Sequence, residues 1–255
     1  MSHNSHYLKS PNFDARKTPI DLLVIHYTGM VSAEAALERL CDPAAKVSAH
    51  YVIDQDGQIY CLVDESHRAW HAGLGRWGKL SNDINSRAIG IELVNSGHEH
   101  GYHPFAAAQI DALIGLCQDI LRRHPHISPQ NVVGHSDIAP SRKLDPGELF
   151  PWPQLALSGI GLYPNVPKMP IERQILLRPA DCGAAVRQLQ SSLADYGYGV
   201  EINGVYDPHL FAVVTAWQRH FRPQICDGVW DAECAQICAE ILVIARKNLP
   251  GKNQQ

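Results

Sequence analysis

An alternation of short apolar runs with a longer amphipathic segment limits the folds open to this chain more than any other feature. The run Leu22–Thr28 is aliphatic and β-branched, which predicts a buried strand that ends at His26. A second run, Ala88–Val94, has the same character except for one acid, Glu92. Apolar residues then recur at helical spacing over residues 110–121. Strands interleaved with helices predict an α/β domain with a central mixed sheet flanked by helices.

Four further elements complete this predicted domain. Ala49–Asp54 and Gln58–Val63 are typical of strands, and a short polar turn with a glycine joins them as in a hairpin. Ser32 can cap a helix over Ala33–Leu40. Asn131–Gly134 is a last short strand. Polar residues follow several of these strands, in loops of the kind where binding groups are common.

The composition changes after residue 158, where prolines become frequent. Four prolines between residues 161 and 180 indicate a stiff, irregular connector. Beyond it, apolar residues recur in three short helical patterns, which predict a small three-helix domain. We therefore expect a catalytic domain over residues 1–160, a connector over 161–180 and a helical domain over 181–248.

Charge and hydropathy exclude several classes of protein. A net charge of −4 implies no basic face, so we expect no nucleic-acid partner. The sequence contains no apolar run of about 18 residues, so we expect no transmembrane segment. The oligomeric state stays open at this point.

The cysteines and the first residues bear on the compartment. Seven cysteines leave one over after pairing and form no dense framework, which favours free thiols and a reducing compartment. Cys234 and Cys238 lie one helical turn apart and could share a metal, but their apolar neighbours favour core packing. Met1–Lys17 lacks the apolar centre of a secretory signal, which at face value favours the cytoplasm.

Three residues at or beyond strand ends form a candidate metal site. A catalytic zinc takes three protein ligands and leaves one position open. His26 ends the first strand, while His135 and Asp145 lie in one loop whose prolines and glycines allow it to fold back. The three residues have no short fixed spacing, so the pattern alone leaves ordinary structural roles open.

Five short motifs in a fixed order carry a family resemblance. They are Ile25–Thr28, Ser48–Ile53, Trp70–Gly73, Ile89–Leu93 and Gly134–Gly147. Together they resemble the zinc-dependent N-acetylmuramoyl-L-alanine amidases of type 2, which include the anhydromuropeptide-recycling enzymes. The resemblance spans about residues 22–157, more than half of the chain.

This resemblance implies a Zn²⁺ cofactor held by His26, His135 and Asp145. The family's catalytic acid/base falls on Glu92, and its catalytic lysine falls on Lys143. Two neutral imidazoles and one carboxylate would leave the zinc site positively charged, which lowers the pKa of a bound water. Glu92 would take the proton of that water and pass it to the L-alanine nitrogen. Lys143 would stabilise negative charge on the carbonyl oxygen.

Four polar residues in or near the motifs are candidates for substrate binding. His50 and His71 would orient the sugar or the peptide, or else serve as structural hydrogen-bonding groups. Arg87 and Arg142 suit the carboxylates of the stem peptide, because a guanidinium group pairs with a carboxylate through two hydrogen bonds. Surface arginines are common, so a solvated role for either one is the alternative.

Aromatic residues and a second set of histidines are further candidates. Trp70 and Trp77 would flank the substrate groove, or else pack in the core as most aromatic residues do. A histidine-rich stretch beside Gly97 and Gly101 could bind a metal, but its composition favours a polar loop. These histidines are His98, His100 and His103.

Residues 181–245 resemble a second family, the peptidoglycan-binding domains of the three-helix kind. The resemblance lies in Ala185–Gln190, Asn203–Tyr206, Trp217–Arg219 and Asp227–Trp230. Binding to glycan strands would raise the local concentration of the enzyme on an insoluble substrate. The alternative is a helical appendage that only stabilises the protein.

We therefore expect a bacterial hydrolase that cleaves the amide bond between N-acetylmuramic acid and L-alanine. Its substrate would be peptidoglycan or soluble (anhydro)muropeptides, in cell wall degradation or in peptidoglycan recycling. Two alternatives remain: a peptidoglycan-recognition protein without activity, and a zinc hydrolase of another amide. The compartment also stays open, because the wall-binding module points to the cell envelope or periplasm.

Overall fold

The computed structural model describes residues 5–78, 80–81, 83–164 and 173–248, so residues 165–172 of the predicted connector lie outside the described residues. The strands are β1 Ser5–Tyr7, β2 Phe13–Ala15, β3 Leu22–Tyr27, β4 Tyr51–Ile53, β5 Ile59–Cys61, β6 His67–Ala69, β7 Arg76–Trp77, β8 Leu80–Ser81, β9 Ala88–Leu93, β10 Val132–Gly134, β11 Ile175–Leu177 and β12 Trp230–Asp231. The α-helices are α1 Ala33–Cys41, α2 Ile84–Arg87, α3 Ala107–Arg123, α4 His135–Ile138, α5 Trp152–Leu157, α6 Ala184–Tyr196, α7 Pro208–Phe221 and α8 Ala232–Lys247. A 3₁₀ helix covers Pro129–Asn131.

A six-stranded sheet in the order β1-β5-β4-β9-β3-β10 forms the centre of the protein. Strands β4, β9, β3 and β10 run parallel to one another, whereas β5 pairs antiparallel with β4 as the predicted hairpin requires. The predicted mixed sheet flanked by helices is therefore confirmed. Ser32 accepts a hydrogen bond from the Ala35 amide and caps α1, also as predicted.

The two faces of the sheet are covered by different parts of the chain. Alternate residues of a strand point to opposite faces. Leu23 and Ile25 of β3 belong to a buried cluster that includes the apolar face of α3. Leu22 and Val24 of the same strand belong to a second cluster, which includes helices α6, α7 and α8 of the C-terminal region. The C-terminal helices thus share a core with the sheet.

Three helices, α6, α7 and α8, form the C-terminal module (residues 173–248), together with the short pair β11 and β12. Trp217 is fully buried at its centre, beside Phe221 and Trp230. Cys234 and Cys238 are buried in the same cluster, which confirms that they pack in the core. All seven cysteines are free thiols.

The register of the parallel strands positions the candidate site. His26 of β3 pairs with Glu92 of β9, so these two side chains start from neighbouring points near the carboxyl ends of their strands. Strand β10 lies on the other side of β3 and ends at Gly134, directly before His135. The edge where parallel strands end therefore collects residues that are far apart in sequence. Within the described parts of the chain, no helix has the length and apolar character needed to cross a membrane.

Candidate metal centre

Three buried side chains converge at the carboxyl edge of the sheet. His26 Nδ1 lies 2.9 Å from His135 Nδ1 and 3.0 Å from Asp145 Oδ2. His135 Nδ1 lies 3.1 Å from the same carboxylate oxygen. Among the described residues, these are the one group of three or more histidine, cysteine or acidic side chains with ligand atoms close enough to hold a metal ion.

The hydrogen bonds of the two imidazoles fit a metal at this point. His135 Nε2 lies 2.9 Å from the Ala72 carbonyl oxygen, to which it can only donate. In the neutral ring its Nδ1 therefore presents a lone pair to Asp145 Oδ2, and two facing lone pairs repel unless a cation lies between them. Ligating histidines usually donate their second ring N–H to a carbonyl in this way. Two imidazole nitrogens and one carboxylate oxygen are a donor set of catalytic zinc sites.

Burial and the neighbouring side chains shift the pKa values of His26 and Asp145. Burial, followed by the neighbouring His135, lowers the pKa of His26 to about 4, so the ring is neutral near pH 7. Burial alone would raise the pKa of Asp145, but His135 and His26 outweigh it and hold that pKa well below its usual range. Neutral imidazole and ionised carboxylate are the forms that bind a metal.

The loop between the two later ligands is closed by the backbone. The Ser136 amide donates to the Asp145 carbonyl at 2.8 Å, which holds the start and the end of the loop together. Gly134 faces Pro146 so closely that a Cβ would lie 2.6 Å from the proline Cδ. A glycine is therefore required where β10 enters this loop.

Glu92 and Lys143 line a cavity of about 500 Å³ that also reaches His135 and Asp145. Glu92 Oε2 is buried and has no hydrogen-bond partner among the described residues. Burial, followed by the charge of Asp145, raises the pKa of Glu92 well above its usual range, while Lys143 opposes this shift. A carboxyl group with a raised pKa beside a candidate metal site is suited to carry a proton.

Three of the predicted substrate-binding residues, Trp70, His71 and Arg142, line the same cavity. His71 Nδ1 lies 3.0 Å from His26 Nε2, so His71 also supports a candidate ligand. The Arg142 guanidinium donates to the Ala72 carbonyl at 2.9 Å, and this carbonyl is the one that orients His135. Both residues thus combine a place in the cavity with a link to the candidate ligands.

The structure does not bring His50 and Arg87 to this cavity. His50 is fully buried, and its Nδ1 accepts a hydrogen bond from the Gly90 amide at 3.0 Å. Arg87 is also buried and forms two hydrogen bonds of 2.8 Å with the Asp21 carboxylate. The substrate contacts predicted for these two residues are therefore corrected to structural roles, because their polar groups bind partners within the protein.

Trp77 likewise lies away from the cavity. Its ring is 1% exposed and contacts Tyr196 and Tyr198 of the C-terminal module, with ring centroids 5.8 and 5.1 Å apart. The prediction that Trp77 flanks the groove is therefore wrong, and its core alternative is correct.

Sequence reasoning missed Tyr27, and for His98 it favoured a polar loop over a metal site. Both residues line the cavity, and the Tyr27 hydroxyl lies 2.9 Å from His98 Nδ1. His98 Nε2 lies 3.1 Å from Glu148, and the His98 ring stacks on Tyr102. The position of Tyr27 directly after His26, within the first family motif, was a signal that it could lie at the site. Nothing in the sequence connected Tyr27 to His98.

Two parts of the chain match known protein families. Residues 16–148 match the family described as N-acetylmuramoyl-L-alanine amidase, and residues 182–237 match the family described as a peptidoglycan binding domain. N-acetylmuramoyl-L-alanine amidase AmiD of Escherichia coli is 39% identical over 235 residues, which are 88% of this chain and 82% of that protein. 1,6-Anhydro-N-acetylmuramyl-L-alanine amidase AmpD of Haemophilus influenzae is 36% identical over 164 residues, 57% of this chain and 86% of that protein.

Solved structures show the same likeness. The E. coli AmiD structure, a complex with the substrate anhydro-N-acetylmuramic acid-L-Ala-D-gamma-Glu-L-Lys, superposes with a TM-score of 0.76 at 38% identity, over 88% of this chain and 89% of that one. AmpDh3 of Pseudomonas aeruginosa superposes with a TM-score of 0.70 at 32% identity, over 87% of this chain and 91% of that one. Both likenesses extend over the catalytic region and the C-terminal module together.

Proposed function

The chain belongs to the N-acetylmuramoyl-L-alanine amidase family, and from this premise we propose how its own residues carry out the reaction. It is a hydrolase of the amide bond between N-acetylmuramic acid and L-alanine, in peptidoglycan or in muropeptides. One observation carries the proposal: His26 Nδ1, His135 Nδ1 and Asp145 Oδ2 converge within 3.1 Å of one another at the cavity that contains Glu92.

These three side chains would hold a zinc ion. Zinc, when bound, supplies Lewis acidity that polarises the amide carbonyl and makes water a stronger acid. His71 and the Ala72 carbonyl each lie against the Nε2 atom of one of these histidines and orient its ring, which leaves its Nδ1 to face the other two side chains, where it would serve as the ligand atom.

Glu92 moves the proton. Its buried Oε2 has no partner in the described protein, so it is available to accept a proton from the attacking water. The raised pKa of the Glu92 carboxyl lets it retain that proton and release it to the L-alanine nitrogen as the amide bond breaks. A pure binding protein has no need for such a group, which favours catalysis over recognition alone.

Lys143 stabilises the charge that develops on the amide oxygen. It lines the cavity two residues before Asp145, on the loop that carries two of the ligands. A cation that already lines the cavity stabilises an oxyanion that forms there by electrostatic attraction.

Trp70, His71 and Arg142 bind the substrate around this centre. The face of Trp70 is suited to an apolar sugar face, and the exposed guanidinium of Arg142 is suited to a carboxylate of the stem peptide. The C-terminal module adds affinity for the glycan network and so favours an insoluble substrate over free fragments.

Two measurements test this proposal. Mass spectrometry of the products from intact peptidoglycan and from a soluble anhydromuropeptide identifies the bond that is cut, and release of a peptide with a free L-alanine amine is expected. Metal analysis of Asp145→Ala should show loss of zinc, because two neutral imidazoles alone bind it weakly. Normal zinc content in this variant, with Asp119→Ala on the surface as the control, would contradict the ligand assignment.

A further inference from the structure

Asp137 connects the metal loop, defined as residues 134–148, to the C-terminal module. Its side chain is 1% exposed and accepts a hydrogen bond from the Tyr198 hydroxyl at 2.7 Å. His220 Nδ1 lies 2.8 Å from its other oxygen, which also accepts from the Gly134 amide at 2.7 Å. Asp137 is two residues beyond the ligand His135, so these bonds fix the loop where the ligand leaves the sheet.

The C-terminal module supplies most of the hydrogen-bond donors that stabilise the buried Asp137 carboxylate. A buried carboxylate is stable only when hydrogen-bond donors surround it. Of its three donors, only the Gly134 amide belongs to the catalytic region. Burial, followed by the charge of Asp137, raises the pKa of Tyr198 well above its usual range, so this hydroxyl keeps its proton and donates.

The His220 ring is itself held in place. It stacks on Trp152 with ring centroids 3.8 Å apart and an interplanar angle of 10°. Trp152 belongs to helix α5, directly after the metal loop in sequence. The contact between His220 and Asp137 is therefore supported from both regions of the chain.

Helix α7 contacts the metal loop at two more points. His209 Nδ1, at the start of the helix, lies 3.2 Å from the Ser141 hydroxyl. Arg219, near its end, lies 3.6 Å from Glu148, the last residue of the loop. One helix of the module thus touches the beginning, the middle and the end of the segment that carries His135, Lys143 and Asp145.

We propose that the C-terminal module is a positioning element of the catalytic centre: Tyr198 and His220 hold Asp137, and through it the loop that carries two metal ligands. A module that only tethered the enzyme to its substrate would leave this loop unaffected. The inference rests on the proposed metal centre for its effect on catalysis, but the ordering of the loop itself does not depend on metal.

The test compares Tyr198→Phe with Tyr206→Phe in the full chain. Each variant removes one buried hydroxyl of the module, but Tyr206 donates to the Gly228 carbonyl inside the module, not to Asp137. Backbone amide hydrogen exchange of the metal-free protein measures how well residues 132–141 are held in their folded conformation. We expect exchange in this segment to rise about tenfold in Tyr198→Phe and to stay unchanged in Tyr206→Phe.

Zinc affinity and kinetics give the second readout. Competition with a chelator should show zinc affinity reduced by roughly tenfold in Tyr198→Phe, the lower end for residues that support metal ligands. The kcat on a soluble muropeptide should fall with KM unchanged, because the loop carries reacting groups. His220→Gln, which keeps an N–H donor, should retain more activity than His220→Ala.

Equal effects of Tyr198→Phe and Tyr206→Phe would overturn the inference, since they would show only a general loss of module stability. No effect of Tyr198→Phe on exchange would overturn it as well. If Tyr198→Phe does not fold, the same exchange comparison is made on His220→Gln and His220→Ala. Absence of zinc from the wild-type protein would contradict the proposed metal centre instead, and the exchange result would still decide this inference.

Discussion

Gly90 lies directly against the ring of His71, so close that a Cβ on Gly90 would sit 2.4 Å from the imidazole Cγ. His71 in turn contacts the candidate ligand His26 at 3.0 Å. The absence of a side chain on one central strand therefore makes room for a residue that orients a metal ligand. This relationship explains why a glycine stands in the middle of an otherwise bulky strand.

Gly90→Ala should displace His71 and weaken the zinc site. Overpacking a buried position costs about 1–3 kcal/mol, so the free energy of unfolding should also fall. We expect reduced zinc affinity in chelator competition and a lower kcat. The control is Ile89→Val, one residue earlier on β9, because Ile89 belongs to the buried cluster that includes the apolar face of α3. This variant should lower the free energy of unfolding by about 1 kcal/mol without any change in zinc affinity. Equal zinc affinity in both variants would refute the role of Gly90.

Glu92→Gln should separate catalysis from metal binding. The amide cannot accept the proton of water, so kcat should fall by about 10²–10⁴-fold, the usual contribution of a general acid/base. Zinc content should stay the same, because Glu92 is not among the three converging ligands. Retained turnover in Glu92→Gln would exclude it as the proton carrier.

The same substitution should stabilise the metal-free protein. A carboxyl group with a raised pKa in the folded state binds its proton more tightly than in the unfolded chain. Folding therefore loses stability as the pH rises through the range above the unfolded value of about 4.3. Glu92→Gln removes this cost, so its Tm in the presence of a chelator should exceed that of the wild type by a few degrees at pH 7. The difference should shrink as the pH is lowered toward 4.

The elements with strong local patterns could be predicted from sequence, and those formed by distant partners could not. The continuous apolar run of Leu22–Tyr27 and the helical period around Ala107–Arg123 are properties of each segment alone. Strand β1 has three residues, and it exists because it pairs with β5 about fifty residues later. The apolar residues on both sides of β3 indicated burial on both faces, but not that the C-terminal helices cover one of them.

The residues of the candidate site also divide into those that could be predicted from the sequence and those that could not. His26, His135 and Asp145 were proposed from family motifs, and the structure brings them together. His50 and Arg87 were misplaced because the burial of a polar side chain depends on its partner. For Arg87 that partner is Asp21, 66 positions earlier, and no local pattern connects the two.

Arg142, which lines the cavity, and Arg87, which has a structural role, should respond differently to substitution. Arg142 lines the cavity and is exposed, so Arg142→Ala should raise KM for a muropeptide with a free carboxylate and should lower the Tm less than Arg87→Ala does. Arg87→Ala removes two hydrogen bonds to the Asp21 carboxylate, which contribute about 1.5–3 kcal/mol each. The expected result is a lower free energy of unfolding with KM unchanged. An unchanged KM in Arg142→Ala would remove it from the substrate site.

Acid stability should depend on Glu65, which anchors the end of helix α3. Its carboxylate lies 2.7 Å from each of the Tyr51 hydroxyl, Arg123 Nη2 and His124 Nε2. Burial alone would raise the pKa of Glu65, but hydrogen bonds from Arg123, His124 and Tyr51 outweigh it and lower that pKa. A carboxyl group with a lowered pKa contributes stability that is complete above the unfolded value of about 4.3 and is lost as the pH falls through the folded value.

Glu65→Gln should therefore reduce the free energy of unfolding at pH 7 by roughly 1.5–3 kcal/mol, the range for a hydrogen bond to a charged group. The same variant should lose less stability than the wild type when the pH is lowered from 5 toward 3, so the two unfolding curves should converge. Denaturant unfolding of the metal-free proteins at several pH values measures this. Asp119→Asn, which breaks an exposed pair with Arg122, should shift neither the stability at pH 7 nor its pH dependence by more than about 0.5 kcal/mol. Parallel curves for wild type and Glu65→Gln would show that the charge of Glu65 does not couple folding to pH.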